Sequence, residues 1–289
     1  TCLMFSPDTY SLLDFGDGRK LERFGEFILD RPAPGVVGTP KATPQLWRKA
    51  DAYFDRDAGT WRESRPLPQH WELPYSGNNC RWAFELHRSP FGHLGVFVEQ
   101  AENWDWLVTQ VRKRESTRVL NLFGYTGGST LALAAAGSGV THLDAADNTV
   151  RRARRNAEIS GLSEASIRWI TDDATKFVKR ELKRGSRYEG VVLDPPSFGR
   201  GAKSEVWQLK RDLPRLLEMV TELLTGESPF LLLTAHTSDL ASKQMADWLD
   251  LAVHKNSRSL VSLKQKKMSL QSEAGKVLPS GIALRATLR

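Results

Sequence analysis

The chain of 289 residues is 40% hydrophobic and 26% charged, enough apolar content for one large core with or without a small satellite, and the wrong composition for intrinsic disorder. No run reaches the roughly eighteen uninterrupted apolar residues of a membrane helix, the first residues lack the order of a signal peptide, and two cysteines, Cys2 and Cys80, build neither a disulfide framework nor a zinc site. A formal net charge of +7 suits a polyanionic partner; a metal-free, cytoplasmic protein is expected, and an organelle stays open because a chain that starts at Thr1 can have lost a targeting segment.

Residues 1–90 carry short patches of strand character, "YSLLDFG", "RFGEFILD" and "RWAFELHR", separated by proline- and glycine-rich connections such as "DRPAPGVVGTPKATP". Trp47, Trp61, Trp71 and Trp82 fall among them. This predicts a β-rich N-terminal lobe over 1–90, assigned to substrate binding. After residue 117 strands and helices alternate: "RVLNLF" then "STLALAAAG", "VTHLDAA" then "TVRRARRNAEIS", "SIRWITD" then "ATKFVKRELKRG", "YEGVVLD" then "WQLKRDLPRLLEMVTELL", "PFLLLTA" then "SDLASKQMADWLDLAV". Two strand-like pieces, "RSLVSLK" and "GIALRATL", close the chain. Residues 91–289 are therefore expected to form an α/β domain, a Rossmann-like sheet with helices on both faces.

In such sheets ligands sit at the carboxyl ends of the strands. The first strand ends in "NLFGYTGGST", whose glycines permit a tight turn and close backbone approach. The second ends at Asp144, about twenty residues downstream, where an acid can hold the ribose hydroxyls of an adenosine cofactor. The third ends in Asp172-Asp173 and the fourth in "VVLDPPSFGRG", with Asp194. Each acid taken alone reads equally as a helix N-cap; four successive strand ends carrying glycines or acids read as a cofactor site. Gly124, Gly127 and Gly128 match neither the dinucleotide fingerprint nor a Walker loop, which points to a cofactor without phosphates.

On the segments "VLNLFGYTGGSTLALAAAG", "VTHLDAA", "WITDDATKFV" and "VVLDPPSFGRG" the chain resembles the class I S-adenosylmethionine-dependent methyltransferases. Among them it is most similar to the bacterial large-subunit rRNA methyltransferases related to the cytosine-C5 enzymes. The resemblance covers about residues 90–240. It implies S-adenosylmethionine as cofactor and RNA, foremost rRNA, as partner. It also implies that Gly124 and Gly127 line the methionine part, with Phe123 among the cofactor-binding residues, that Asp144 binds the ribose, and that Asp173 meets the adenine amine with Asp172 as its competitor. Upstream, "GVFVEQAENWDWL" resembles the segment that covers the cofactor, making Gln100 a contact; the same residues also read as a helix start with Glu99 at the favourable end of the dipole.

The same resemblance places the Asp-Pro-Pro loop beside the methyl group, with Asp194, Pro195 and Phe198 as the catalytic set and Asp194 also among the cofactor-binding residues. Prolines fix the backbone and remove amide donors, so the loop's carbonyls and the Asp194 carboxylate can accept from an amino group, while Phe198 offers a flat face for a base. Ser197 and a mobile, basic "GRGAK" would flank the substrate, with Arg200 and Lys203 toward phosphates.

The resemblance departs at one place. Carbon-5 methylation of cytosine needs a thiolate; after the fifth strand, where those relatives carry the cysteine, this chain reads "LLLTAHTSDL", and no cysteine lies between Gly92 and Arg289. A base nitrogen is the expected target. Thr234 and His236 occupy the region, His236 either as a base near neutrality or as a loop-bonding residue. The arginines of "RRARRN" read as a solvated helix face. A methyltransferase for a protein side-chain amide and a non-catalytic nucleic-acid-binding module stay open as alternatives.

Overall fold

Alternation in "CRWAFELH" buries Cys80, Trp82, Phe84 and Leu86 and leaves Arg81, Ala83, Glu85 and His87 exposed or half-buried, the period-two pattern of a half-buried strand. The computed structural model describes residues 5–200, 206–236 and 240–289, without the side chain of Arg200. Two compact units divide it: Thr1–Ala101 with Ser269–Ser280, and Glu102–Met268 with Gly281–Arg289.

The first unit is β-rich. Strands β1 (Tyr10–Gly16), β2 (Arg19–Phe24), β3 (Phe27–Pro32), β4 (Ala52–Asp55) and β5 (Thr60–Glu63) form one sheet in chain order, and β6 (His70–Gly77) pairs with β7 (Cys80–His87) in a hairpin. Asn78 and Asn79, at φ +48° and +57°, make the left-handed two-residue turn that such a hairpin favours. The patch "RFGEFILD" holds a reversal: Gly25, at φ +63°, lets Phe24 end β2 directly opposite Phe27 at the start of β3. Within the sheet the fully buried Glu22 accepts from Arg31 at 2.8 and 2.5 Å and from the Tyr10 hydroxyl at 2.9 Å, so its buried charge is paired.

The second unit alternates strand and helix: α1 (Ala101–Arg112), β8 (Arg118–Leu122), α2 (Gly128–Ala135), β9 (Gly139–Asp144), α3 (Asp147–Ile159), β10 (Ile167–Thr171), α4 (Ala174–Lys183) and β11 (Gly190–Leu193). Then follow β12 (Phe198–Arg200), β13 (Val206–Gln208), α5 (Leu209–Leu223), β14 (Phe230–Ala235), α6 (Ser242–Lys255), β15 (Leu260–Gln271) and β16 (Val277–Leu288), the last two running into the first unit over Ser269–Ser280. The large sheet runs β10-β9-β8-β11-β14-β16-β15, parallel through β14, with β16 antiparallel to it. The central strands β11 and β14 are buried on both faces, which is why "GVVL" and "FLLLTA" read as apolar runs, whereas β10 and β15 expose part of their residues. Leu120, Val191, Leu193, Leu231 and Leu233 pack with Phe177 of α4 and Leu213 of α5, while Val119, Val192 and Leu232 pack with Leu107 of α1 and Leu133 of α2. Chain order reverses between β8 and β11, and this switch point locates the crevice at their carboxyl ends.

One expectation is corrected. The helix expected from Trp207 starts at Leu209 instead, because Val206–Gln208 pairs antiparallel with Phe198–Arg200; residues 201–203 of the basic exit lie outside the described residues. Among the described residues no helix is long and apolar enough to cross a membrane.

Candidate active site

The glycine loop owes its shape to two crowded positions. A Cβ on Gly124 would stand 2.5 Å from His142 Cε1, and Gly127, at φ +94°, caps α2 in the left-handed region. Phe123 and Tyr125, on either side of Gly124, also adopt positive φ, +58° and +48°. Non-glycine residues there cost of order 1–3 kcal/mol each and persist where the surroundings over-determine them. Here Gly124 N donates to Leu143 O at 2.9 Å, Tyr125 N donates to Asp144 Oδ2 at 3.0 Å, and Asn156 of α3 reaches Thr126 O at 2.8 Å.

Asp144 ends β9. Its other oxygen accepts from Ala146 N at 3.0 Å, while Ala146 itself is the N-cap of α3, so the acid is not a helix cap. Burial holds its carboxyl above the ordinary carboxylate range, against the pull of the Ala146 and Tyr125 amides. Below the loop His142 is fully buried, and that burial pushes its pKa down to about 3. The neutral ring meets Thr130 Oγ1 at 2.8 Å, which in turn accepts from Asn121 at 2.9 Å.

The next strand end is tied to this one, since Asp172 N donates to Asp144 O at 3.1 Å. Asp173 does cap α4, accepting from Lys176 N at 2.8 Å. Asp172 accepts from the Asp173 amide at 2.8 Å and pairs with Arg180.

At the tip of β11, in-register parallel pairing of Leu193 with Leu233 sets Asp194 beside the end of β14. Thr234 Oγ1 donates to Asp194 Oδ1 at 2.5 Å, and His236 Nε2 stands 3.2 Å from the same oxygen. Pro195 is buried, Ser197 is exposed, and the Phe198 side of the loop is open, with 53% of that residue accessible. Not all of the loop's carbonyls stay open to a substrate. Pro196 O accepts from Trp207 Nε1 at 2.8 Å and Ser197 O from Leu209 N at 3.0 Å. Trp207 also packs on Phe123, joining this loop to the glycine loop.

Phe123, Gly124, Gly127, Asp144, Asp172, Asp173, Asp194 and Pro195 thus gather at the strand ends of the second unit, with Phe198 one turn of the loop beyond. Gln100 lies in the first unit, buried at the end of a 3-10 turn, Val98–Gln100, that leads into α1 with Glu99 in its first turn. Lys203 and the side chain of Arg200 lie outside the described residues. Arg151 and its neighbours Arg154 and Arg155 are exposed, as a solvated face requires. Sequence reasoning missed Trp207 and His142. The signal for His142 was a histidine inside an apolar strand two residues before the key acid; Trp207 looked like the first turn of a helix.

A family model described as S-adenosylmethionine-dependent methyltransferase matches residues 46–258. The ribosomal RNA large subunit methyltransferase I of Escherichia coli (strain SMS-3-5 / SECEC) is 30% identical over 161 residues, 54% of this chain and 40% of that protein, so the chain spans less than half the length of this curated relative. The crystal structure of a SAM-dependent methyltransferase from Agrobacterium tumefaciens is 35% identical, with a TM-score of 0.88, and covers 96% of this chain and 90% of its own. SMU.776, solved in complex with SAH, shares the fold at 18% identity, TM-score 0.75, over 97% of this chain and 75% of its own.

The residues present fit that cofactor: the half-buried Asp144 carboxylate at the end of β9 suits a pair of hydroxyl donors. Since the family model spans more than half of the chain and the Agrobacterium relative is covered almost end to end, the chain belongs to the S-adenosylmethionine-dependent methyltransferase family.

Proposed function

We propose that the protein methylates a base nitrogen in RNA, foremost ribosomal RNA, in the cytoplasm. The observation that carries this reading is the loop from Asp194 to Phe198: a carboxylate, two residues without amide donors and an accessible phenyl ring, one strand away from the glycine loop. When bound, S-adenosylmethionine supplies an electrophilic methyl carbon on a sulfonium. Phe123, Gly124 and Gly127 hold its methionine side, Asp144 its ribose, and Asp172 or Asp173 its adenine amine. The acceptor base stacks on Phe198, Asp194 provides the charge toward which its N–H is drawn, and the buried Pro195 keeps the loop rigid, so that catalysis is largely positioning. Ser197, Arg200 and Lys203 flank the RNA.

Two facts support RNA and nitrogen over the alternatives. The Escherichia coli relative is an rRNA methyltransferase by name and the chain carries a net charge of +7. The carbon-5 route needs a thiolate, yet no cysteine lies between Gly92 and Arg289, and Cys80 is buried in β7 of the first unit, 5% exposed. The test is incubation with labelled S-adenosylmethionine and unmodified ribosomal RNA transcript, followed by nucleoside digestion. An N-methylated nucleoside is expected; label appearing only in protein would move the assignment to a side-chain amide.

A further inference from the structure

The positive charge of the chain is unevenly spread. The first unit, Thr1–Ala101 with Ser269–Ser280, holds 13 Lys and Arg against 14 Asp and Glu, whereas the second holds 28 against 20, so the whole excess belongs to the unit that carries the crevice. Within it, residues 174–187 carry six cations and one acid. Ala174, Phe177, Val178 and Glu181 bury one side of α4, while Lys176, Lys179, Arg180 and Lys183, three and four residues apart, line its exposed side, with Arg184 and Arg187 exposed in the turn that follows. The one acid adds nothing to that surface: Glu181 is 1% exposed and accepts from the Tyr188 hydroxyl at 2.7 Å and from Arg184 at 3.0 Å. Arg180 pairs with Asp172, but Lys179, Lys183 and Arg187 meet no carboxylate among the described residues. The helix dipole favours cations in the last turn, where Arg180 and Lys183 stand; Lys176 and Lys179 precede that turn and Arg187 lies beyond it. In α3, by contrast, Arg151 and Arg155 are offset by Asp147 and Glu158.

We propose that this basic row on α4 is a phosphate-binding surface for the RNA that flanks the acceptor nucleotide, an inference that rests on the RNA reading above. The row starts beside the crevice, since Asp173 at the end of β10 caps α4, and it runs about 10 Å from Lys176 to Lys183 at 1.5 Å per residue. Phe177 of α4 and Leu213 of α5 share one core cluster, and α5 starts directly from β13 of the Phe198 ribbon. A chain whose base enters at Phe198 can therefore lay its neighbouring phosphates along α4. Exposed ammonium and guanidinium groups on long stems attract phosphates whatever the base, by releasing the counterions of the polyanion. The row supplies affinity and orientation, and the choice of nucleotide stays with the crevice.

The test measures binding of an unmodified ribosomal RNA transcript by fluorescence anisotropy across a salt series, together with methylation kinetics. It compares wild type, the triple variant Lys179→Ala, Lys183→Ala, Arg187→Ala, and a control triple Arg151→Ala, Lys243→Ala, Lys255→Ala, which removes as much charge from exposed ion pairs elsewhere in the second unit. The α4 variant should bind RNA about ten- to a hundredfold more weakly at low salt, with a salt slope smaller by about 2 to 3, because each lost phosphate contact takes roughly 0.7 to 0.9 from it. Its KM for RNA should rise, while kcat at saturating RNA and S-adenosylmethionine affinity stay within a few-fold; the control should follow wild type. An α4 variant with wild-type affinity and slope, or a control that falls as far, overturns the inference and leaves the RNA reading standing. Wild type that neither binds nor methylates RNA overturns both. Binding to phosphatidylserine-containing vesicles that is lost in the α4 variant, with RNA binding unchanged, overturns the inference in favour of a membrane surface. If the alanine variant melts early, the triple glutamine variant, which keeps the side-chain stems along the helix, decides.

Discussion

Trp207 packs its indole on the ring of Phe123, centroids 5.0 Å apart at 54°, while its Nε1 donates to Pro196 O at 2.8 Å. One side chain therefore touches both the loop expected to hold the donor and the loop expected to hold the acceptor. Trp207→Phe keeps most of the ring contact and leaves the Pro196 carbonyl unpaired, at a cost of about 1–3 kcal/mol if no water replaces the donor. Stopped-turnover assays should show kcat reduced about tenfold or more, with cofactor affinity within a few-fold.

Asp144 governs cofactor binding and its pH dependence. Asp144→Ala should weaken S-adenosylmethionine about ten- to a hundredfold, since hydrogen bonds to a charged group contribute about 1.5–3 kcal/mol. In the folded protein burial raises this carboxyl above its unfolded value. The folded state therefore holds the proton more tightly, and the stability this gives is full below the unfolded pKa and lost as pH rises through the folded one. Ribose hydroxyls need the ionised form, so affinity should fall as pH drops through the raised pKa. Calorimetry across pH 4–8 checks this, and Asp144→Asn should flatten the dependence.

Gly124→Ala introduces a methyl 2.5 Å from His142 Cε1 and 2.6 Å from Nδ1, in a site with no slack. Overpacking of this kind costs about 1–3 kcal/mol. A thermal melt should show the loss of stability, and cofactor affinity should fall with it because the loop must lift.

Phe198→Ala removes an exposed ring that contributes little to the core. The melt should be nearly unchanged and cofactor affinity within a few-fold, while kcat/KM for RNA falls by about ten- to a hundredfold, the loss of 1–3 kcal/mol of base stacking.

Cys80→Ala should retain most methyl transfer. RNA carrying 5-fluorocytosine should form no covalent adduct with the wild-type protein; a stable adduct that disappears in Cys80→Ala would restore a carbon-5 mechanism.

The middle of the sheet was readable because its strands are short and mostly apolar, and the positions of Gly124, Asp144 and Asp194 followed from where those strands end. The dual use of Asp173 was left open by sequence, since cap and ligand call for the same residue type; its bond to Lys176 N shows that the cap is real. Trp207 was invisible for a different reason. The local pattern "WQLKRDLP" suits a helix, and only the tertiary pairing of Gly199 with Trp207 pulls the first residues into a strand. His236 could be seen as a base, but its alignment with Asp194 depends on the register of β11 against β14, which no single segment encodes.

The left-handed backbone at Phe123 and Tyr125 bears on how freely this sequence can drift. A domain is stable by only about 5–15 kcal/mol, and two such residues withhold about 2–6 of that. A relaxed version of the loop, with glycine at either position, would tolerate more chance substitutions in its core before unfolding. The present one meets its threshold sooner, so mutational robustness of the whole second unit is limited by three consecutive residues at the end of β8.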